Sequence, residues 1–207
     1  MVARGRFITF EGGEGAGKST QIRHLARFLG DRGRMLVLTR EPGGAPGAEI
    51  LRNLLLHGGH DWAPRSETLL HFATRAEHIA RTIQPALAAG DWVLCDRYYD
   101  STMVYQGAGQ GEDRAVIKLL SDMMGLVPDL TIVLDVPVAT SVARLAARGV
   151  AADRYERLGA PFFETIRRGF QRVADENPQR CVLLDGATDE AALAATIAGI
   201  VQARLLA

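Results

Sequence analysis

Residues 12–19 read Gly-Gly-Glu-Gly-Ala-Gly-Lys-Ser, directly after the apolar run Phe7-Ile8-Thr9-Phe10. A buried strand, a glycine-rich turn and a helix opening near Lys18 are what this order predicts. Glycines at 12, 13, 15 and 17 let consecutive backbone N–H groups point inward as an anion nest, and the helix start adds its positive dipole end. The segment is therefore a phosphate-binding P-loop, with Ala16 and Thr20 completing it. Lys18 is placed to neutralise the β and γ phosphates of a nucleotide, and the Ser19 hydroxyl to ligate Mg²⁺. Of the 24 basic residues only Lys18 and Lys118 are lysines. A lysine at 18 fits the role, because a slim ammonium enters a phosphate nest where a forked guanidinium does not.

The rest of the chain repeats the same grammar. Short apolar runs near 7–11, 35–39, 92–96, 130–135 and 181–185 alternate with helical patterns, including about 18–31, 64–89 and 189–205. This predicts an α/β fold of three layers, α/β/α, with a five-stranded parallel sheet and ligands at the carboxyl ends of its strands. At 207 residues the chain is expected to form one domain spanning 1–207. The stretch from about 146 to 160, with Arg148, Arg154 and Arg157 among small residues between two helices, is expected to be a lid.

Lys plus Arg and Asp plus Glu balance at 24 each. No global field argues for nucleic acid, so anion binding has to be local. Cys95 and Cys181 sit in apolar runs without CxxC spacing, which predicts reduced, buried thiols. No apolar run approaches the roughly 20 residues of a membrane span, and no signal-like segment precedes the first strand. The expectation is a soluble, cytoplasmic protein without membrane or nucleic-acid partners.

Strand 92–96 ends in Asp96, the position of a Walker B carboxylate near the Mg²⁺ shell, and Arg97-Tyr98 follow at once. The second strand runs into Thr39-Arg40-Glu41-Pro42-Gly43-Gly44, where Arg40 is either paired with Glu41 or an anion clamp.

Taken in order, the P-loop, Thr39 to Gly44, Asp96-Arg97-Tyr98, Asp100-Ser101-Thr102, Tyr105-Gln106-Gly107, Pro128 to Thr131 and Leu134-Asp135-Val136 resemble the bacterial thymidylate kinases over nearly the whole chain. The resemblance implies a P-loop kinase that moves the γ-phosphate of ATP to dTMP, with Mg²⁺ as cofactor and a homodimer as assembly. It implies ATP on residues 12–20, with Arg148 along the adenine, and Mg²⁺ at Ser19 and Asp96. It further implies Glu14 facing dTMP and the metal, and Arg40, Arg75 and Arg97 around the acceptor, with Arg97 on its phosphate. Ser101 falls in the same acceptor segment, Thr102 and Gln106 at the thymine edge, and Tyr105 against the sugar 2′ position. Arg154 would reach the transferred phosphoryl, so that Lys18, Glu14, Arg97 and Arg154 form the catalytic set. Where members often carry a phenylalanine that stacks on thymine, this chain has His71 with Phe72 following; either ring is a candidate platform.

Two other readings share some of these motifs. A P-loop kinase for a deoxynucleoside or a different monophosphate would keep the P-loop and Asp96-Arg97-Tyr98, but Arg40, Arg75 and Arg97 exceed what a neutral nucleoside requires. An NTP-driven switch is disfavoured because no Asn-Lys-x-Asp guanine reader occurs and the lid arginines lie in the same chain.

Overall fold

The computed structural model describes residues 4–149 and 154–206, and of Arg148 and Glu156 the backbone only. Its centre is β1 (Phe7–Gly12), buried at all six positions, as expected of a parallel strand covered on both faces. Around it β2 (Leu36–Arg40), β3 (Trp92–Asp96), β4 (Leu130–Asp135) and β5 (Cys181–Asp185) form one sheet. All its pairings are parallel and the order is β2-β3-β1-β4-β5. The register sets Phe10 opposite Asp96, Gly12 opposite Leu134 and Arg40 opposite Asp96. The loop after β1, Arg40 and Asp96 therefore share one edge, where the chain order reverses on either side of β1.

Strand periodicity sorts β1 into two faces. Ile8 and Phe10 pack with Ile22, Leu25 and Leu29 of α1 (Lys18–Gly30) and with Leu193, Ile197 and Val201 of α9 (Glu190–Val201). Phe7 packs on the opposite side with Val93, Cys95 and Tyr98, against the helical stretch that includes Ile79, Ile83 and Leu87. That stretch begins as α3 (Pro64–His78), widens into a π turn at Ile79–Ile83 and ends as α4 (Gln84–Ala89), stopped by Gly90 at φ 91°. The sequence pattern predicts one helix over 64–89, and the wide turn is the difference. Pro85 has no N–H for the carbonyl four residues back and its ring crowds that carbonyl, which a widened turn accommodates.

The remaining helices are α2 (Pro46–His57), the single turn α5 (Tyr99–Thr102) that runs into a π turn at Met103–Gly109, α6 (Arg114–Met124), α7 (Val138–Arg148) and α8 (Gly159–Glu176). On the α8 side, Val133 and Cys181 of the sheet meet Ile166, Phe170 and Val173, together with Val104, Tyr105 and Tyr155. Asp189 caps α9 by accepting from the N–H groups of Ala191 and Ala192, each at 3.0 Å. α9 stops at Val201 and a wide turn carries the chain to Leu206, where the apolar run predicts helix to 205.

Both cysteines are free and buried. Burial raises the pKa of each, that of Cys181 to about 12. Among the described residues no helix is long and apolar enough to cross a membrane.

Candidate active site

The turn between β1 and α1 closes on itself through glycine. Gly12, Gly15 and Gly17 all have positive φ, and a Cβ on Gly12 would lie 2.4 Å from the Leu134 carbonyl oxygen. Lys18 is buried, and its ammonium donates to the carbonyls of Gly12 (3.1 Å) and Gly13 (2.9 Å), arching back over the loop. Burial, followed by the nearby Arg97, lowers its pKa. One residue on, the Ser19 hydroxyl donates to the Asp96 carboxylate at 2.8 Å. Ser19 at the helix start and Asp96 at the strand end are hard oxygen donors of the kind that would suit Mg²⁺.

Arg97 is the only non-glycine described residue with positive φ, 69°. Such backbone is strained by about 1–3 kcal/mol and persists where its surroundings over-determine it. Here the Arg97 N–H donates to the Phe10 carbonyl at 2.9 Å. Its guanidinium donates to the Gly12 carbonyl (3.1 Å), the Ser101 hydroxyl (3.2 Å) and the Glu14 carboxylate. Burial opposes its charge, but Glu14 first and then Tyr105 and Asp96 more than offset this and raise its pKa. Tyr105 donates its hydroxyl to the same Glu14 oxygen at 3.0 Å.

These groups line a cavity of about 600 Å³ that continues away from the P-loop to a second set of side chains. Arg75 is 2 % exposed, and its Nε donates to Glu41 at 2.7 Å and its Nη2 to Thr102 at 3.1 Å. Its Nη1 is buried without a hydrogen-bond partner among the described residues. Gln106 donates from Nε2 to Glu67 (3.0 Å) and to the Tyr155 hydroxyl (3.1 Å). His71 approaches that hydroxyl at 3.3 Å. Burial, then Arg75, lowers the His71 pKa to about 3, so the ring is neutral at neutral pH.

Of the residues expected in the site, Glu14 to Thr20, Arg40, His71, Arg75, Asp96, Arg97, Ser101, Thr102, Tyr105 and Gln106 all line this cavity. Gly12 stands behind it, holding Lys18 and Arg97 through its carbonyl, and Gly13 borders a small neighbouring cavity. Phe72, the other candidate platform, does not line the cavity. As the next residue along α3 it turns into the interior, where its ring lies under the Arg75 guanidinium at 4.7 Å, and His71 takes the wall. Arg40 does not pair with Glu41. The two residues leave the strand on opposite sides: Arg40 reaches Glu49 at 3.0 Å, while Glu41 turns inward to Arg75 and to His78 at 3.0 Å. Arg154 is off the cavity wall, 3.0 Å from a Glu67 carboxylate oxygen. The Arg148 side chain lies outside the described residues.

Sequence reading missed the buried acids that organise the site. Glu11 accepts from the Tyr98 N–H at 2.7 Å and the Ser101 hydroxyl at 2.6 Å, and burial, then Asp100, pushes its pKa up to about 8. Glu41, Glu67 and Tyr155 are likewise buried. One signal was available on α3: Glu67, His71, Arg75 and His78 recur at helical spacing, a polar stripe on a face that turns out buried.

Residues 10–197 match the family model described as thymidylate kinase. The chain belongs to the thymidylate kinase family. Among its relatives, the thymidylate kinase of Dinoroseobacter shibae is 51% identical over 199 residues, covering 95% of this chain and 96% of that one. The thymidylate kinase of Caulobacter vibrioides is 48% identical over 207 residues, covering 99% of each. The crystal structure of thymidylate kinase from Ehrlichia chaffeensis superposes with a TM-score of 0.78 at 34% identity, covering 96% of this chain and 99% of that one. Thymidylate kinase membership makes the chain a nucleotide-binding transferase of the nucleoside monophosphate kinase class.

Proposed function

We propose that the chain transfers the γ-phosphate of ATP to dTMP, giving dTDP and ADP for dTTP synthesis. The observation that carries this reading is a single cavity with a phosphate loop at one end and arginines facing a second compartment at the other. Two polyanions repel, and a phosphoryl kinase works mainly by holding them in line and spreading the migrating charge over cations. Lys18 and the loop N–H groups hold the ATP phosphates. Arg97 clamps the acceptor phosphate, with Glu14 and Tyr105 fixing the guanidinium from the other side and Arg40 close to the same end. Ser19 and Asp96 would hold Mg²⁺, which when bound neutralises phosphate charge.

At the base end, Arg75 offers its unpaired Nη1 and Gln106 its amide to the thymine edge, Thr102 supports Arg75, and the neutral His71 ring is the stacking platform. The proposal assigns Arg148 to adenine and Arg154 to the transferred phosphoryl, for which Arg154 must leave Glu67 as a lid near 146–160 closes over one kinase domain. We also assign the chain to the cytoplasm, without membrane or nucleic-acid partners, and to a homodimer. The dimer accounts for Leu119 and Met123, one turn apart on α6 and 62% and 68% exposed.

Coupled ADP release measured across the nucleoside monophosphates tests the reading. ATP consumption should be nearly silent alone and strongest with dTMP. Consumption independent of any nucleotide acceptor, or preference for a neutral deoxynucleoside, would overturn it.

A further inference from the structure

Behind the wall of the cavity's base end lies a carboxylate hydrogen-bonded to several of the side chains there. Glu67, on α3, is fully buried, and every group directed at it is a donor. Its Oε1 accepts from Gln106 Nε2 (3.0 Å), Gln110 Nε2 (2.9 Å) and the Tyr155 hydroxyl (2.6 Å), while Arg154 stands 3.0 Å from Oε2. With donors directed at it from Gln106, Gln110, Tyr155 and Arg154, the carboxylate serves here as an acceptor. It therefore dictates which way a neighbouring amide must face.

A glutamine amide carries two N–H donors on nitrogen and an acceptor on oxygen. In Gln106 both donors have partners: one meets Glu67 and the other meets the Tyr155 hydroxyl. That hydroxyl donates its hydrogen bond to Glu67, so toward Gln106 it accepts. Turning the amide over would set its oxygen against a carboxylate and against a hydroxyl oxygen with no proton to offer. Two like contacts in a buried site make that orientation costly. The Gln106 oxygen accepts no hydrogen bond from the described residues, and the side chain lines the cavity. It is the polar atom left for a ligand.

Beside it, Arg75 brings a buried Nη1 with no hydrogen-bond partner among the described residues. The wall thus offers one acceptor and one donor, with neither free to change role. A pyrimidine with a ring N–H next to a carbonyl matches that pair; one with a bare ring nitrogen next to an amino group opposes it at both points.

We propose that Glu67 is a positioning residue that sets pyrimidine selectivity, locking the Gln106 amide so that its oxygen faces the acceptor base and thymine is taken over cytosine. The inference rests on the reading of this cavity as the dTMP site. It adds a determinant that never touches substrate, and it makes Tyr155 part of base selection.

The test compares kcat/KM for dTMP and dCMP at saturating ATP in the wild type, Glu67→Gln and Tyr155→Phe. A wild type that does not phosphorylate dTMP would remove the functional reading itself, before any variant is compared. Given dTMP activity, Glu67→Gln supplies an N–H that accommodates either Gln106 orientation. The dTMP-to-dCMP ratio should then fall about tenfold or more, chiefly through a higher KM for dTMP, with the KM for ATP little changed. A merely structural role, or a role in seating Arg154 alone, would lower both acceptors together. An unchanged ratio therefore overturns the proposal. Should Glu67→Gln fail to fold, Tyr155→Phe decides. It removes one of the two acceptors facing the amide, and the ratio should fall about threefold; no change overturns the proposal.

Discussion

At the phosphate end of the cavity the polar groups come mostly from one unbroken stretch, 12–19, and act largely through backbone; Asp96 and Arg97 join them from the neighbouring strand end. At the base end they come from α3, from α5 and the π turn after it and from residues 154–155, and they act through side chains that hold one another. The first construction recognises a polyanion whatever it is attached to, since a nest of N–H groups offers only donors. The second recognises one arrangement of donors and acceptors, because each group is fixed by a neighbour. Tight phosphate binding and base selectivity are therefore separable here, and substitutions at the two ends should leave different kinetic signatures.

The largest expected effect is at Lys18. Lys18→Ala should lower kcat about a thousandfold while circular dichroism stays that of the folded chain, since the ammonium contacts loop carbonyls rather than core. Retention of more than about a tenth of the wild-type rate would remove the P-loop from the chemistry.

Arg154 tests the division itself, because it sits at the base end and is assigned to the phosphoryl. Arg154→Ala should reduce kcat by a factor of hundreds to about a thousand, with the KM for dTMP little changed, the behaviour of a group used in the transition state. A raised KM for dTMP at unchanged kcat would instead leave Arg154 where the structure seats it, on Glu67.

Arg97→Ala should raise the KM for dTMP about thirtyfold and the KM for ATP far less, as expected for the loss of a charge-assisted hydrogen bond to the acceptor phosphate. Equal effects on both substrates would move Arg97 to the donor end.

The last expected effect is on stability and not on rate. Glu11 loses its proton near the usual 4.5 in the unfolded chain and near 8 in the folded one. Between those values the folded state binds more protons, so stability should fall as pH rises from about 4.5 to 8. Glu11→Gln should flatten that slope in denaturant titrations across the same interval, and an unaltered slope would assign the pH dependence to other groups.

Much of the fold was legible because it is local. Strand runs, the glycine spacing of 12–17 and the carboxylate closing 92–96 are patterns of near neighbours, and the five strands lie where the apolar runs place them. The base end was legible in its members and not in its wiring. Gln106 and Arg75 could be named, but the hydroxyl that meets Glu67 lies 88 residues away from it in sequence, and no periodicity links the two. His71 and Phe72 illustrate the same limit. Adjacent aromatic rings are equivalent candidates in a string of letters, and only the rotation of α3 against the sheet turns one to the cavity and the other beneath Arg75.

The two cysteines carry a practical consequence. With both sulfurs buried and their ionisation pushed upward, neither presents the thiolate that maleimides and iodoacetamides attack. The chain is thus a nearly blank background for single-site labelling. A cysteine introduced at the half-exposed Leu158 would carry a fluorophore alone, three residues from Tyr155, and its emission could follow that segment while ATP and dTMP are added in either order.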